Sequence, residues 1–267
     1  MSDHHHPAAA VDDALARAVV YRTLAIGFQT PTAVRLRQVG ALDRFRAVTA
    51  ALQHLDQPGR PSSLAPAAAR LAALVVPGVE ALSASFWHLF GHTTRGLICA
   101  CETEYGPDNG FHQPQQLADI SGYYLAFGLR PAAAADARAD HIACECEFMD
   151  FLSRKEALWL GQPPQRSSGE TLEVTRQAAR SFLRDHLGRF GRAFAVRVAT
   201  EDDDGYFGAL GHLLMAFVDA ECIRVGVEAG PIDLIVRPEL IDDAPMACGS
   251  GSEPSAKGEL IQIQRRP

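Results

Sequence analysis

Two short stretches of the chain concentrate residue types that could do chemistry. The first begins Phe86-Trp87-His88-Leu89-Phe90-Gly91 and ends, eleven residues on, in Glu102-Thr103-Glu104-Tyr105-Gly106. It sets an aromatic helix end beside a loop that carries two carboxylates. The second is Asp140-His141-Ile142-Ala143-Cys144-Glu145-Cys146-Glu147-Phe148-Met149. Asp140 has the side chain of a helix N-cap, and its charge suits the positive end of the helix dipole. His141 and Glu145, four apart, share a helix face. Carboxylates beside an apolar, aromatic surface suit a ligand that pairs guanidinium groups with an apolar stretch.

Cysteines form a third candidate set. Cys99 and Cys101, with Cys144 and Cys146, make two Cys-x-Cys pairs, and Cys222 and Cys248 stand alone. Four thiolates could hold zinc or an iron–sulfur cluster, with Cys248 as a spare ligand. On a regular helix, however, Cys144 and Cys146 point about 200° apart, so both reach one metal only if the helix unwinds. The expectation is six free thiols, no bound metal and no cofactor. A metal- or cluster-binding redox protein on a helical scaffold is the alternative.

The elements that must position these residues read as helices. Val11, Leu15, Val19, Ala25 and Phe28 step along a first one, and Thr30-Pro31 offers the N-cap and first residue of a second. Leu42, Phe45, Val48, Leu52 and Leu55 stripe a third, stopped by Pro58-Gly59-Arg60-Pro61. An alanine-rich segment over 65–76 breaks at Pro77-Gly78, and Val79 to Phe90 forms the next helix. The glycines of 91–112 mark a long ordered loop, a feature that tends to be functional. Helices are expected again at about 114–128, 140–160, 170–187 and 204–226, with Gly128, Gly161 and Gly188 at C-terminal caps. Phe190 to Val198 fits a helical turn or a strand. Glu201-Asp202-Asp203-Asp204 reads as a solvated turn that charges a helix N-terminus. The predicted fold is all-α: a disordered N-terminus over 1–10, one bundle-like domain of about ten helices over 11–226, and an irregular arm and flexible tail over 227–267.

Several function classes drop out. A net charge of −7, from 25 basic and 32 acidic residues, disfavours nonspecific nucleic-acid binding. No unbroken apolar run reaches the ~18–20 residues of a membrane span, and Met1 to Ala10 lacks the order of a secretory signal, so a cytoplasmic location is expected. Phosphate loop, dinucleotide fingerprint and nucleophile elbow are all missing. The zinc-protease motif lacks its second histidine after His141 and Glu145. No enzymatic activity is expected.

One ordered set of motifs carries a resemblance. Leu89-Phe90-Gly91, Glu104-Tyr105-Gly106, Leu117-Ala118-Asp119-Ile120 with Gly122-Tyr123-Tyr124, Asp140-His141-Ile142, Cys146-Glu147-Phe148-Met149 and Phe182-Leu183-x-Asp185-His186-Leu187-Gly188-Arg189 follow one another as in the TorD/DmsD/NarJ family of molybdoenzyme maturation chaperones, which the chain resembles over roughly 10–225. The resemblance implies an all-helical, non-catalytic chaperone, monomeric or dimeric, without stable membrane insertion. Its partner would be the catalytic subunit of a molybdopterin enzyme, held before cofactor insertion through the twin-arginine signal peptide. Asp140 and His141 would then line the peptide-binding region, with Phe90, Glu104 and Tyr105 as neighbours.

Overall fold

The computed structural model describes residues 7–40, 42–56, 64–91, 96–107, 112–130, 138–163 and 169–237. Among them the chain forms ten α-helices: α1 Pro7–Gly27, α2 Ala33–Gly40, α3 Leu42–Leu55, α4 Ala65–Ala73, α5 Val79–Phe90, α6 His112–Ala126, α7 Ile142–Leu160, α8 Gly169–Phe182, α9 Gly188–Glu201 and α10 Tyr206–Val225. A 3-10 turn occupies Glu102–Glu104, and a π turn over Leu183–Leu187 joins α8 to α9. No strand forms among the described residues, only two isolated bridges. The all-α expectation therefore holds. Helix α1 starts at Pro7, ahead of the expected boundary at residue 11. The arm as far as Arg237 belongs to the same compact unit as the helices. The expected disorder of the first six residues, the Pro58–Pro61 stop and the tail from Pro238 with Cys248 lie outside the described residues.

The ambiguous segment Phe190–Val198 is helical, in α9. Its Phe190, Phe194 and Val198 are buried with Phe207, Leu210, Leu214 and Phe217 of α10. Small residues let the two helices approach closely. A Cβ on Gly211 would stand 2.8 Å from the Ala195 carbonyl oxygen and 3.0 Å from the Ala199 nitrogen, so any larger residue forces the pair apart. The acidic turn between them acts as expected. Asp202 Oδ2 accepts from the Phe207 and Gly208 amides at 2.9 and 3.2 Å, satisfying the open end of α10. Helix α10 has the length and hydropathy of a membrane span, but 67% of that window is buried inside the protein, as suits a core helix.

Other local expectations shift. Thr32, not Thr30, caps α2, its hydroxyl accepting from the Arg35 amide at 3.1 Å. Gly188 does not end a helix but continues from the π turn into α9 with helical angles. The inward stripe of α1 is also rotated from the expected one. Leu15 is exposed and Val11 and Val19 are only partly buried, while Ala14, Arg17, Ala18, Tyr21 and Leu24 are buried; Ala25 and Phe28 of the expected stripe are buried too. An arginine within that face disguised it. Arg17 can lie there because its Nη2 bonds Glu156 of α7 at 2.6 Å, and its Nε lies 3.9 Å from Glu221 of α10.

Candidate peptide-binding site

Four of the five candidate residues lie in or against an irregular segment, 98–106, that no α-helix contains. Backbone bonds pin it on three sides. The Ile98 amide donates to Leu89 O at 2.8 Å, anchoring the segment to the end of α5. Next, Ile142 N donates to Ala100 O and Glu102 N to Asp140 O, each at 2.8 Å, forming the Cys101–His141 bridge at the start of α7. On the other flank, Gly106 N donates to Ile235 O at 2.9 Å and Arg237 N to Glu104 O at 2.7 Å, forming the Tyr105–Val236 bridge to the C-terminal arm. Gly106 has φ +111°, a conformation open mainly to glycine, which lets the chain turn away there.

Asp140 does not cap α7, contrary to the sequence reading. His141 does: its Nδ1 accepts from the Ala143 amide at 3.1 Å. The ring must be neutral at that nitrogen, and burial, set against the neighbouring Asp140 carboxylate, pushes its pKa down to about 4. Asp140 faces the 98–106 segment instead. Its Oδ2 accepts from the Thr103 amide at 3.1 Å and the Thr103 hydroxyl at 2.8 Å. Arg138 closes the group. Its Nε reaches Asp140 Oδ1 at 3.0 Å, its Nη2 reaches Asp140 Oδ2 at 2.9 Å, and its Nη1 reaches Glu104 Oε1 at 3.0 Å. Glu104 and Asp140 are buried, whereas the Arg138 side chain is 32% exposed.

Phe90 and Tyr105 lie deeper. Phe90 stands in an aromatic cluster with Phe28, Phe86, Phe194 and Phe207, and Tyr105 packs on Phe190 with its hydroxyl donating to Cys99 O at 2.8 Å. Tyr105 belongs to the segment, whereas Phe90, in α5, sits in the core cluster. Of the five candidates, then, Glu104, Asp140 and His141 supply polar groups at the segment, Tyr105 anchors it, and Phe90 is core.

A second layer of charge lies behind this group. Glu102, fully buried, accepts from Arg189 Nε and Nη2 at 3.0 and 2.7 Å and lies 3.1 Å from His186 Nδ1. His186 Nε2 in turn lies 3.2 Å from Asp119. Glu145 is fully buried, and neither of its oxygens meets a donor among the described residues. Burial, then the charges of Glu102 and Asp140, raise its pKa well above the ordinary glutamate value. As a neutral acid it can donate a hydrogen bond to Glu102. Arg138 left no signal beyond its place two residues before Asp140.

Among the described residues the cysteines are not gathered into one site. Cys99, Cys101, Cys146 and Cys222 are buried and Cys144 is partly so, with no disulfide among these five. Among the described residues no group of three or more His, Cys, Asp and Glu is arranged to hold a metal. Burial pushes the Cys144 thiol up to about 11 and Cys146 higher still, away from the thiolate that ligation needs. A cleft of about 240 Å³ is lined by Glu156, Arg176, Arg180 and Arg224, and it shares no residue with the candidate site.

Comparison with known proteins agrees with this arrangement of motifs. Over 136 residues the chain is 29% identical to the chaperone protein TorD of Photobacterium profundum, a stretch covering 51% of this chain and 60% of that relative. No solved structure matches. The model of the nitrate reductase delta subunit family matches residues 57–196, which take in α4 through most of α9 and every residue of the candidate site. That match spans just over half of the chain, and the protein belongs to the nitrate reductase delta subunit family.

Proposed function

We propose that the protein is a cytoplasmic, non-catalytic chaperone that holds a molybdopterin enzyme subunit before cofactor insertion and export, recognising its arginine-bearing signal peptide at the 98–106 segment. Family membership and the similarity to a TorD chaperone support the class of function. The observation that carries the choice of site is the set of bonds around Arg138. Two carboxylates and a hydroxyl converge on one guanidinium, so this corner of the protein already has the acid-rich chemistry that selects arginine. Asp140, wholly buried, acts in this reading as a positioning residue for Thr103 and Arg138. Glu104, buried beneath the part-exposed Arg138, is the carboxylate that an incoming arginine reaches by taking the place of Arg138, and a half-buried His141 flanks it.

The test is calorimetric titration of a synthetic peptide with two consecutive arginines followed by an apolar stretch. Glu104→Gln removes a charge and keeps the shape. Losing one charge-assisted bond of about 1.5–3 kcal/mol weakens binding roughly ten- to a hundredfold. The wild-type affinity falls with added salt as far as the pairing is exposed. Equal affinity of wild type and Glu104→Gln would move the site away from this segment.

A further inference from the structure

The C-terminal arm does something at this site that the helices do not: its backbone pairs with the 104–106 end of the segment through an isolated antiparallel bridge. After α10 the chain passes through Gly226, in the left-handed conformation, and is fastened at Gly230. There the Gly230 amide donates to Gly188 O at 2.9 Å, and Arg192 Nη1 donates to Gly230 O at 2.7 Å. The fit is close, since a Cβ on Gly230 would stand 2.0 Å from the Arg189 carbonyl oxygen. Beyond this root, one side of the arm is open: Ile232 and Ile235 are 50% and 59% exposed, and Pro231 and Asp233 are exposed too. The other side is held by the pair of backbone bonds at Glu104 and Gly106, by Leu234 and Val236, which pack partly buried against the core, by one long contact from Arg197 Nη2 to Leu234 O at 3.4 Å, and by the seating of Arg237.

Arg237 is the telling residue. It is 5% exposed, its Nη2 donates to Gln116 of α6 at 3.2 Å, and its guanidinium comes within 3.7 Å of where a Cβ on Gly106 would be. The arm thus presents an extended Leu234-Ile235-Val236-Arg237 run, apolar residues next to an arginine, to the edge of the segment that carries Glu104. Backbone pairing of this kind gives affinity that depends little on sequence, while side-chain seats give the selectivity.

We propose that residues 231–237 are a displaceable occupant of a strand seat at Glu104–Gly106, and that an extended, arginine-bearing segment of the client enzyme takes this seat in their place. The inference rests on the functional reading above and adds the mode of binding and its internal competitor. A strap rooted at Gly230 is released without unfolding the helices, and its displacement lowers the apparent affinity for the client.

The experiment uses full-length chains. Arg237→Ala empties the side-chain seat; Arg237→Pro also removes the amide that donates to Glu104 O. Thermal melts check that both fold, and Arg237→Ala stands alone if the proline variant does not. The probes are the twin-arginine peptide and a synthetic copy of residues 229–239. If the arm is docked about nine-tenths of the time, release tightens binding of the twin-arginine peptide about tenfold. The arm peptide then binds the variants in trans, competes with the twin-arginine peptide, and binds wild type more weakly. Unchanged or weaker affinity of the variants for the twin-arginine peptide, or absence of competition, overturns the inference while leaving the chaperone reading intact. Binding of the arm peptide to the variants with no twin-arginine binding to any chain overturns the reading on which the inference rests, and the proposed client with it.

Discussion

Two clusters of acids and arginines lie in this molecule, and they are built on different terms. The first ties helices together. Arg17 of α1 bonds Glu156 of α7, which also accepts from Arg176 of α8 at 2.8 Å; Glu221 of α10 accepts from Arg224 at 2.7 and 2.8 Å and from the Tyr21 hydroxyl at 3.1 Å. Burial opposes ionisation of Glu156 and Glu221, yet the arginines hold both carboxyls below the ordinary glutamate value. Each acid is matched by guanidinium. The second cluster, around 98–106, sets Glu102, Glu104, Asp140 and Glu145 against Arg138 and Arg189 with His186, and burial with the neighbouring carboxylates raises the pKa of Glu145. A matched cluster is a clamp. A cluster with surplus acid on irregular backbone, part of it covered only by an arginine that reaches solvent, is the one suited to accept a cation from outside.

Breaking the clamp should cost most. Arg17→Ala leaves two buried carboxylates each short of a partner, a loss of about 3 kcal/mol. In a chain of this size that lowers the melting temperature by roughly 6–12 °C. A shift under a few degrees would show that Arg176 and Arg224 suffice, and the contrast between the clusters would weaken. Asp140→Asn comes next. It uncouples Arg138 and Thr103, at about 2 kcal/mol for bonds to a charged group. Hydrogen exchange should quicken at the Thr103 amide and in the 98–106 segment ahead of the helices. Uniform quickening would mean that the site is as rigid as the clamp.

Glu145→Gln should change stability least and is the sharpest on charge. Glutamine can still donate to Glu102, so near pH 5 the variant matches wild type. Because the folded-state pKa of Glu145 is raised, the native protein binds the extra proton, and wild-type stability falls as pH rises above the ordinary glutamate pKa. The variant lacks that slope, so its advantage grows towards neutral pH and beyond. Chemical denaturation at several pH values reads this directly. Parallel profiles would place an ionised Glu145 in the fold and remove the surplus of acid from the comparison.

Much of this was legible in the sequence, and what was not has identifiable causes. Most helices announced themselves through apolar spacing and Pro or Gly breaks. The face of α1 was misread because Arg17 is polar by type yet buried by pairing with Glu156, 139 positions away. The α9 segment stayed ambiguous because a helix flanked by small residues on a close neighbour lacks a clear polar side; Gly211 and Ala195 settle it only in three dimensions. At the site, residue types pointed to the right stretches, but cap and neighbour exchanged roles. Asp140 is the better cap by propensity, and the Thr103 amide and hydroxyl with Arg138 draw it away from the helix. Backbone pairing of the arm with Glu104 and Gly106 carries no side-chain signature at all.

The π turn at Leu183–Leu187 has a consequence for insertions and deletions. Such a turn holds one residue more than the α-helical turn it replaces, and it takes up that residue locally while the helix beyond keeps its phase. Here it lets Phe182, His186 and Phe190 all be buried along one run, with His186 against Glu102. Removing a single residue from the turn would yield an ordinary α-helix of good local geometry. Phe182 and Phe194 would then stand eleven residues apart, close to three regular turns, and could still both point inward. What such a deletion would change is the direction of the side chains within the turn, His186 among them, so a gap there should accompany loss of the Glu102 pairing.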